Sequence, residues 1–199
     1  MNFDFSDDQK FLKNEARKFL DGQCPTSRVR KVLDDDGKAY DEALWKAVAE
    51  QGWLGAAIPE QYNGLGLGRL ELCVIAEELG RAVAPIPFAS TVYFLAEAVM
   101  LAGNEEQKAY LLPRIAAGDI IGAMAISEGP GVPGPSTIQA TVEDGKLNGV
   151  KLPVTDGDIA TVALVLAKEG GRPGLFIADL TDPSVTRESL KTLDPTRDA

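Results

Sequence analysis

The spacing of apolar residues changes once along the chain, close to residue 119. Before that point apolar residues recur every three or four positions, which is the period of an amphipathic α-helix. Ser6 and Gln9 form a capping-box pattern that starts the first helix, and Pro113 is predicted to break or kink the last one. Residues 1–118 are therefore predicted to be all-α. The predicted helices cover about residues 7–22, 41–52, 69–83 and 90–102, and a further helix begins at residue 105.

After residue 119 the chain consists of short runs rich in Val, Ile and Thr, separated by turn signals such as Asp144-Gly145 and Gly170-Gly171. Helical runs followed by strand runs are typical of a segregated α+β protein. The pattern predicts an antiparallel β region over residues 119–199, with the boundary near Gly118. The predicted strands lie in the runs IIGAMAIS, IQATV, KLNGVKLPV, ATVALVLA and GLFIAD.

Composition and charge narrow the classes of function. The 199 residues are 45% hydrophobic and 25% charged, as in ordinary soluble globular proteins. A formal charge of −10 argues against a nucleic-acid partner, because binding phosphates requires a surplus of Lys and Arg. No apolar run is long enough to span a membrane, and the acidic N-terminus does not resemble a basic targeting peptide. We therefore expect a cytoplasmic protein without a membrane span.

The chain contains no histidine, which argues against Ser–His–Asp triads, Cys–His pairs and most zinc sites. Its two cysteines are Cys24 and Cys73, and Cys73 is predicted to be a packed core residue because its neighbours are apolar. No metal site is predicted. Acid–base chemistry would need a carboxylate, a lysine, a tyrosine or a group outside the chain.

Two glycine-rich segments could hold a ligand. Residues 125–136, AISEGPGVPGPS, combine glycines, which allow close backbone approach, with prolines, which fix chain direction. Local chemistry leaves three interpretations open: a cofactor-binding loop, a phosphate cradle or a linker. Residues 64–68, GLGLG, are interpreted as a tight interhelical turn, because a dinucleotide fingerprint would require a βαβ unit.

Three stretches together resemble the acyl-CoA dehydrogenase family. Residues 58–82 are similar to its P-x-x-x-G-G-x-G pattern followed by a helix that ends in Glu-Glu-Leu. Residues 103–119 are similar to its G-x-x-x-Q-K-x-x-x-L-P segment. Residues 123–128, AMAISE, match the start of its strand-to-loop motif A-x-[ST]-E-P-x-x-G-S-D. The order and spacing of the three stretches make the resemblance specific.

The resemblance implies an N-terminal helical domain, a middle β-barrel and a C-terminal four-helix bundle, with FAD between barrel and bundle. Residues 1–118 would be the helical domain and residues 119–199 an incomplete middle β-barrel, while the four-helix bundle is expected to be absent from this chain. The family's catalytic base comes from that bundle, so no catalytic residue is expected here. Glu128 is expected to fix its loop and not to act as the base.

The resemblance also places cofactor-binding residues. Met124, Ile126 and Ser127 stand in the strand that contacts the flavin, and Ser127 keeps the motif's hydroxyl. Val132 and Pro133 stand where the family has Gly-Ser, which meets the FAD phosphate and the substrate. Proline supplies neither an N–H nor a hydroxyl, so two potential donors are missing at Pro133.

A second flavin-contacting motif, N-G-x-K-x-[WFY]-I-T, is similar to residues 148–155. Thr155 is retained, but Pro153 replaces the aromatic residue that shields one flavin face. Tyr93 and Phe94 lie on the helix that borders the acyl pocket in the resembled fold, which makes them candidate substrate residues, with core packing as the alternative.

The resemblance leads to one principal functional hypothesis and two alternatives. The principal one is α,β-dehydrogenation of an acyl-CoA substrate, with hydride transfer to FAD and electrons passed to an electron-transfer flavoprotein, in a homo- or hetero-tetramer. The first alternative is a non-catalytic or cofactor-degenerate subunit of a heteromeric dehydrogenase, which is motivated by Val132, Pro133 and Pro153. The second is a flavin monooxygenase or oxidase on the same fold.

Overall fold

A computed structural model describes residues 4–35 and 39–190 of the chain. They form two compact units, and each unit combines two separate stretches of the chain. The first unit comprises the described residues up to Ile86 together with 102–119, and the second comprises Pro87–Leu101 together with the described residues from Ile120 onward. The division of domains between residues 118 and 119 stays a prediction, and residues 191–199 of its second part lie outside the described residues.

Helices occupy the stretches in which the sequence shows a helical period. The helix α1 starts at the predicted capping box, where Ser6 Oγ accepts from Gln9 N at 3.2 Å. The last helix, α6, ends at Gly118 in the left-handed region (φ 81°) and continues unbroken through Pro113, so the predicted break is wrong. A capped start and a glycine stop stabilise the helix at both ends, which offsets the one N–H that proline lacks. The α-helices are α1 (Asp7–Gln23), α2 (Thr26–Leu33), α3 (Glu42–Glu50), α4 (Arg69–Arg81), α5 (Glu97–Ala102) and α6 (Glu105–Ala117).

The first unit buries the apolar faces of its helices. Trp45 also makes a hydrogen bond in this core, in which its Nε1 donates to the carbonyl oxygen of Gly118 at 2.9 Å. Cys73, predicted to lie in the core, is exposed, whereas its neighbours Leu72 and Val74 are buried. A helix turns its side chains by about 100° per residue, so an apolar run longer than one face must leave some members in solvent. Fully buried side chains of this unit include Leu20, Leu44, Leu54, Ile58, Ile75, Leu111, Leu112 and Ile115.

A buried carboxylate joins α1 to α4. The side chain of Glu78 is fully buried and accepts hydrogen bonds from Arg17 (Nη2 to Oε1, 2.8 Å) and from Arg81 (Nε to Oε2, 2.7 Å). Hydrogen bonding to Arg17 is the largest influence on the pKa of Glu78, and with Arg81 it outweighs burial and lowers that pKa. The carboxylate therefore stays charged inside the helical unit.

The second unit contains a five-stranded mixed sheet. Strand β4 lies at its centre and pairs along its full length with β5 in antiparallel orientation. Its other edge pairs in parallel with β1 at one end and with β2 at the other, while β3 extends β2 as an antiparallel hairpin. The strands are β1 (Gly122–Ala125), β2 (Thr141–Glu143), β3 (Lys146–Asn148), β4 (Val162–Glu169) and β5 (Arg172–Asp179).

This topology corrects the predicted antiparallel barrel: the sheet is mixed and does not close. The two hairpins turn at Asp144-Gly145 and Gly170-Gly171, where the sequence placed turns. The parallel pairs join strands that are distant in sequence, which local turn signals do not specify. The barrel was implied by the resemblance alone, and the described residues provide five strands of one open sheet.

A π-helix, Ala89–Ala96, precedes α5 and packs against β1. Gly122 N donates to Thr91 Oγ1 at 3.0 Å, and a Cβ added at Gly122 would lie 2.3 Å from Leu95 Cδ2. The strand can therefore approach the helix closely because residue 122 is glycine. In the described segments, no helix has both the length and the apolar character needed to cross a lipid bilayer.

Candidate functional site

The two stretches that resemble flavin-contacting motifs lie side by side in the second unit. Leu152 N donates to the Ser127 carbonyl oxygen at 2.9 Å, and Gly129 N donates to the Leu152 carbonyl oxygen at 2.9 Å. These bonds form an isolated parallel bridge between Glu128 and Leu152. Residues far apart in sequence are thus brought into one site by backbone pairing.

An ion pair reinforces this bridge. Lys151 Nζ lies 2.6 Å from Glu128 Oε1 and 3.2 Å from the carbonyl oxygen of Ile126. The Glu128 carboxylate also accepts from the main-chain N–H groups of Gln139 (2.6 Å) and Ala140 (3.0 Å). The side chains of Glu128 and Lys151 are only 14% and 8% exposed. The pair therefore joins three chain segments away from bulk water.

These contacts set the charge state of Glu128. Desolvation by burial is the largest single influence and would raise the pKa of Glu128. Hydrogen bonds from Lys151 and from the amides of Gln139 and Ala140, with the Lys151 charge, together outweigh it and lower the pKa to about 2. The carboxylate is ionised at neutral pH and is a poor proton acceptor there, which fits the loop-fixing role expected from the sequence.

The glycine- and proline-rich loop begins directly after Glu128. Gly129 (φ 123°) and Gly131 (φ 112°) adopt conformations that favour glycine, so these residues shape the loop. The Thr137 hydroxyl accepts a hydrogen bond from Gly134 N at 2.8 Å, which closes a turn between these two residues. The loop borders a hollow of about 190 Å³, whose lining includes Ile126, Glu128 and Thr137.

Three of the predicted cofactor-binding residues line this hollow, namely Ile126, Val132 and Pro133. Val132 is 87% exposed, and Pro133 is exposed as well. The other four predicted cofactor residues, Met124, Ser127, Pro153 and Thr155, lie outside the lining.

These four residues nevertheless lie within four positions of the bridge in sequence. Met124 is half-buried in β1, between the buried Ala123 and Ala125, whose side chains point to the opposite face of the strand. Within residues 4–35 and 39–190, the half-buried hydroxyl of Ser127 makes no hydrogen bond. Pro153 and Thr155 are exposed on the segment that follows Leu152. The hydroxyl of Ser127 can donate and accept a hydrogen bond, so it is a candidate ligand contact.

The predicted substrate residues Tyr93 and Phe94 lie on the π-helix and not in the lining of the hollow. Tyr93 is half-buried and packs edge-to-face against Phe88, with ring centroids 5.5 Å apart. Phe94 is 47% exposed. Core packing, the alternative considered for these residues, therefore describes Tyr93. Pro133, the third predicted substrate residue, does line the hollow.

Sequence reasoning missed the role of Lys151 as the partner of Glu128, together with the two amide donors at Gln139 and Ala140. The sequence did contain a signal for this ion pair. Glu128 and Lys151 carry opposite charges, and they lie in the two stretches that resemble flavin-contacting motifs. The amides carry no side-chain signal, and only the folded loop shows them.

The described residues fit one part of FAD better than the other. Ile126 and the Ser127 hydroxyl suit the ring. The exposed Val132 and Pro133 suit a phosphate less well, because the side chain of Val132 is apolar and Pro133 has no N–H to donate. The hollow is also smaller than the roughly 300–1,000 Å³ of pockets that enclose small molecules. The hollow by itself is therefore too small to enclose a small-molecule ligand.

Comparison with known proteins identifies the relatives of this chain. The family model described as the acyl-CoA dehydrogenase N-terminal domain matches residues 6–119. The mitochondrial isovaleryl-CoA dehydrogenase of Solanum tuberosum is 32% identical over 170 residues, which are 82% of this chain and 41% of that protein.

Solved structures show the same similarity in three dimensions. A chain of the ChsE4-ChsE5 complex from Mycobacterium tuberculosis matches with a TM-score of 0.83 and 26% identity, over 96% of this chain and 52% of that one. An acyl-CoA dehydrogenase from Bacillus anthracis complexed with FAD matches with a TM-score of 0.79 and 28% identity, over 98% of this chain and 35% of that one. The chain thus spans about half, or less, of the length of these proteins.

Proposed function

We propose, since the chain belongs to the acyl-CoA dehydrogenase family, that it is part of a flavoprotein that oxidises an acyl-CoA thioester to its enoyl form. FAD is the proposed cofactor and, when bound, supplies the hydride acceptor. The observation that carries the proposal is the backbone pairing of Ser127 with Leu152, because the two stretches that resemble flavin-contacting motifs lie side by side there. The FAD-bound relative with the same fold supports the choice of cofactor.

The residues of this chain would bind and orient the flavin without moving a proton. In this proposal Met124 and Ile126 offer apolar surface and the Ser127 hydroxyl hydrogen bonds a ring edge. Glu128 is held as a carboxylate by Lys151, so we do not assign it as the catalytic base. The proposed base belongs to a segment outside this chain, and an electron-transfer flavoprotein is the proposed electron acceptor.

A second function, a cofactor-degenerate subunit of a heteromeric dehydrogenase, is favoured by the exposed Val132, Pro133 and Pro153. In this proposal the chain pairs with an FAD-binding partner and contributes structure to a tetramer. The fold shared with a chain of the ChsE4-ChsE5 complex supports a heteromeric assembly.

Flavin absorbance of the purified full-length protein, followed by anaerobic addition of acyl-CoA, separates the two functions. A dehydrogenase is expected to be yellow and to lose its visible absorbance with acyl-CoA when oxygen is excluded. A colourless protein that takes up no FAD, either alone or with a co-purified partner, contradicts the dehydrogenase proposal. FAD bound only by the complex with its partner favours the degenerate subunit.

A further inference from the structure

The glycine- and proline-rich loop, residues 129–138, is held by the Glu128 carboxylate at its neck, which is the place where its two ends meet. The chain leaves the bridge at Glu128 and returns at Gln139 and Ala140, whose two N–H groups both donate to that carboxylate. A loop whose ends are this close keeps its shape only while the closure holds. We infer that the Glu128–Lys151 pair is a positioning device that preforms this loop for its ligand. The identity of the ligand, FAD, rests on the proposed function.

Lys151 is the reason that a carboxylate can occupy the neck. A carboxylate that is 14% exposed would be unfavourable as a lone charge, and the Lys151 ammonium compensates it at 2.6 Å. Lys151 also donates to the Ile126 carbonyl oxygen, which ties the neck to the strand that precedes the loop. The two charges are thus paired with each other within the protein.

The loop itself has little other support. A Cβ added at Gly129, Gly131 or Gly134 would meet no atom within 4 Å, so the space on that side of the backbone is open at these positions. Pro130, Pro133 and Pro135 have no N–H to donate. The loop is also held by the Gly129–Leu152 bond at its start, by the turn between Gly134 and Thr137 and by the buried Ile138 at its end. The closure at Glu128 joins its two ends.

Amide hydrogen exchange of the FAD-free, full-length protein tests the closure without any assumption about function. In Glu128→Gln, exchange at Gln139 and Ala140 is expected to become roughly 10- to 100-fold faster, because bonds to a charged acceptor are lost. Exchange at Ala163 and Val165 in the core strand β4 should stay unchanged. The matched control is Glu77→Gln, which removes an exposed carboxylate paired with Lys13 and should change neither pair of amides.

A second variant keeps the test valid if Glu128→Gln does not fold. Glu128→Met combined with Lys151→Met removes both charges, so no unpaired buried charge remains. The folded double variant is expected to show the same fast exchange at Gln139 and Ala140. Wild-type exchange rates at these amides in either variant would overturn the inference.

FAD titration then tests the effect on the ligand. Lys151→Met should raise the Kd for FAD at least about tenfold, while Lys151→Arg, which keeps the charge and donors, should retain most of the affinity. Loss of affinity without faster amide exchange would show direct ligand contact by Lys151 and overturn the inference. Failure of the wild-type protein to bind FAD would contradict the proposed function, while the exchange experiment would still decide the closure.

Discussion

The hydroxyl of Ser90 donates a 2.6 Å hydrogen bond to Oδ2 of Asp156, and both side chains are buried. Ser90 lies in the π-helix and Asp156 directly follows Thr155, the last residue of the second flavin-type motif. This bond ties the helix that carries Tyr93 and Phe94 to the segment that carries Pro153 and Thr155. Within the second unit, the segment with the candidate substrate residues and the segment with the candidate cofactor residues are therefore joined by a buried hydrogen bond.

Ser90→Ala should lower the free energy of unfolding by about 1.5–3 kcal/mol, because a buried carboxylate loses a hydrogen bond. Ser184→Ala is the matched control, since Ser184 also donates to an aspartate, Asp182, but does so on the exposed surface. The control should lose less than about 0.5 kcal/mol. Denaturant unfolding measures both values, and equal losses would contradict the prediction.

Glu78→Gln should lower the free energy of unfolding by about 2–4 kcal/mol, since two arginines lose a buried charged partner. The neighbouring Glu77, whose side chain is 54% exposed beside Lys13, supplies the control. Glu77→Gln is expected to cost less than about 1 kcal/mol. A Glu78 variant as stable as the Glu77 variant would show that burial adds nothing to this network.

The stability of the protein should fall in acid partly through Glu128. Its pKa is lowered from the model-compound value of 4.5 to about 2, so its contribution is fully present above pH 4.5 and is lost as pH falls toward 2. That difference in pKa corresponds to about 3 kcal/mol. Denaturant unfolding near neutral pH and at about pH 3 should show wild type losing more stability than Glu128→Gln. Equal losses in both proteins would contradict the lowered pKa of Glu128.

Gly122→Ala should destabilise the protein by about 1–3 kcal/mol, because the new Cβ would overlap Leu95 in a closely packed contact. Combining it with Leu95→Ala should recover part of that loss, which makes the effect specific to this pair. The control is Gly22→Ala, where a Cβ meets nothing within 4 Å in helix α1. That variant should be neutral or gain up to about 1 kcal/mol in thermal or denaturant unfolding.

Pro133→Ser should tighten FAD binding by roughly 2- to 10-fold, because it restores an N–H and a hydroxyl that the loop lacks. Pro135→Ser makes the same change two residues later in the loop and serves as the control. Fluorescence titration with FAD measures both affinities. If the two variants gain equally, or neither gains, then position 133 is not where the cofactor is recognised.

Much of the local structure could be predicted from sequence, because local interactions determine it. The capping box of α1, the start of α6 at residue 105 and the hairpin turns at Asp144-Gly145 and Gly170-Gly171 depend on neighbouring residues. The motif residues also indicated the family, and the family model confirms it over residues 6–119.

Long-range pairing could not be predicted in this way. The parallel pairs of β4 with β1 and β2 depend on contacts between residues that are distant in sequence. The same is true of the site, where Lys151 neutralises Glu128 across 23 positions of sequence.

The sequence by itself indicated most of the helices, the two hairpin turns and the family that the chain resembles. Only the tertiary structure decided that Lys151 and two amides lower the pKa of Glu128, that Ile126, Val132 and Pro133 share one hollow, and that Tyr93 packs on Phe88. The physical reason is that burial and charge compensation are properties of neighbours in space. Residue type sets what a group can do, whereas its surroundings set its pKa, its exposure and its partners.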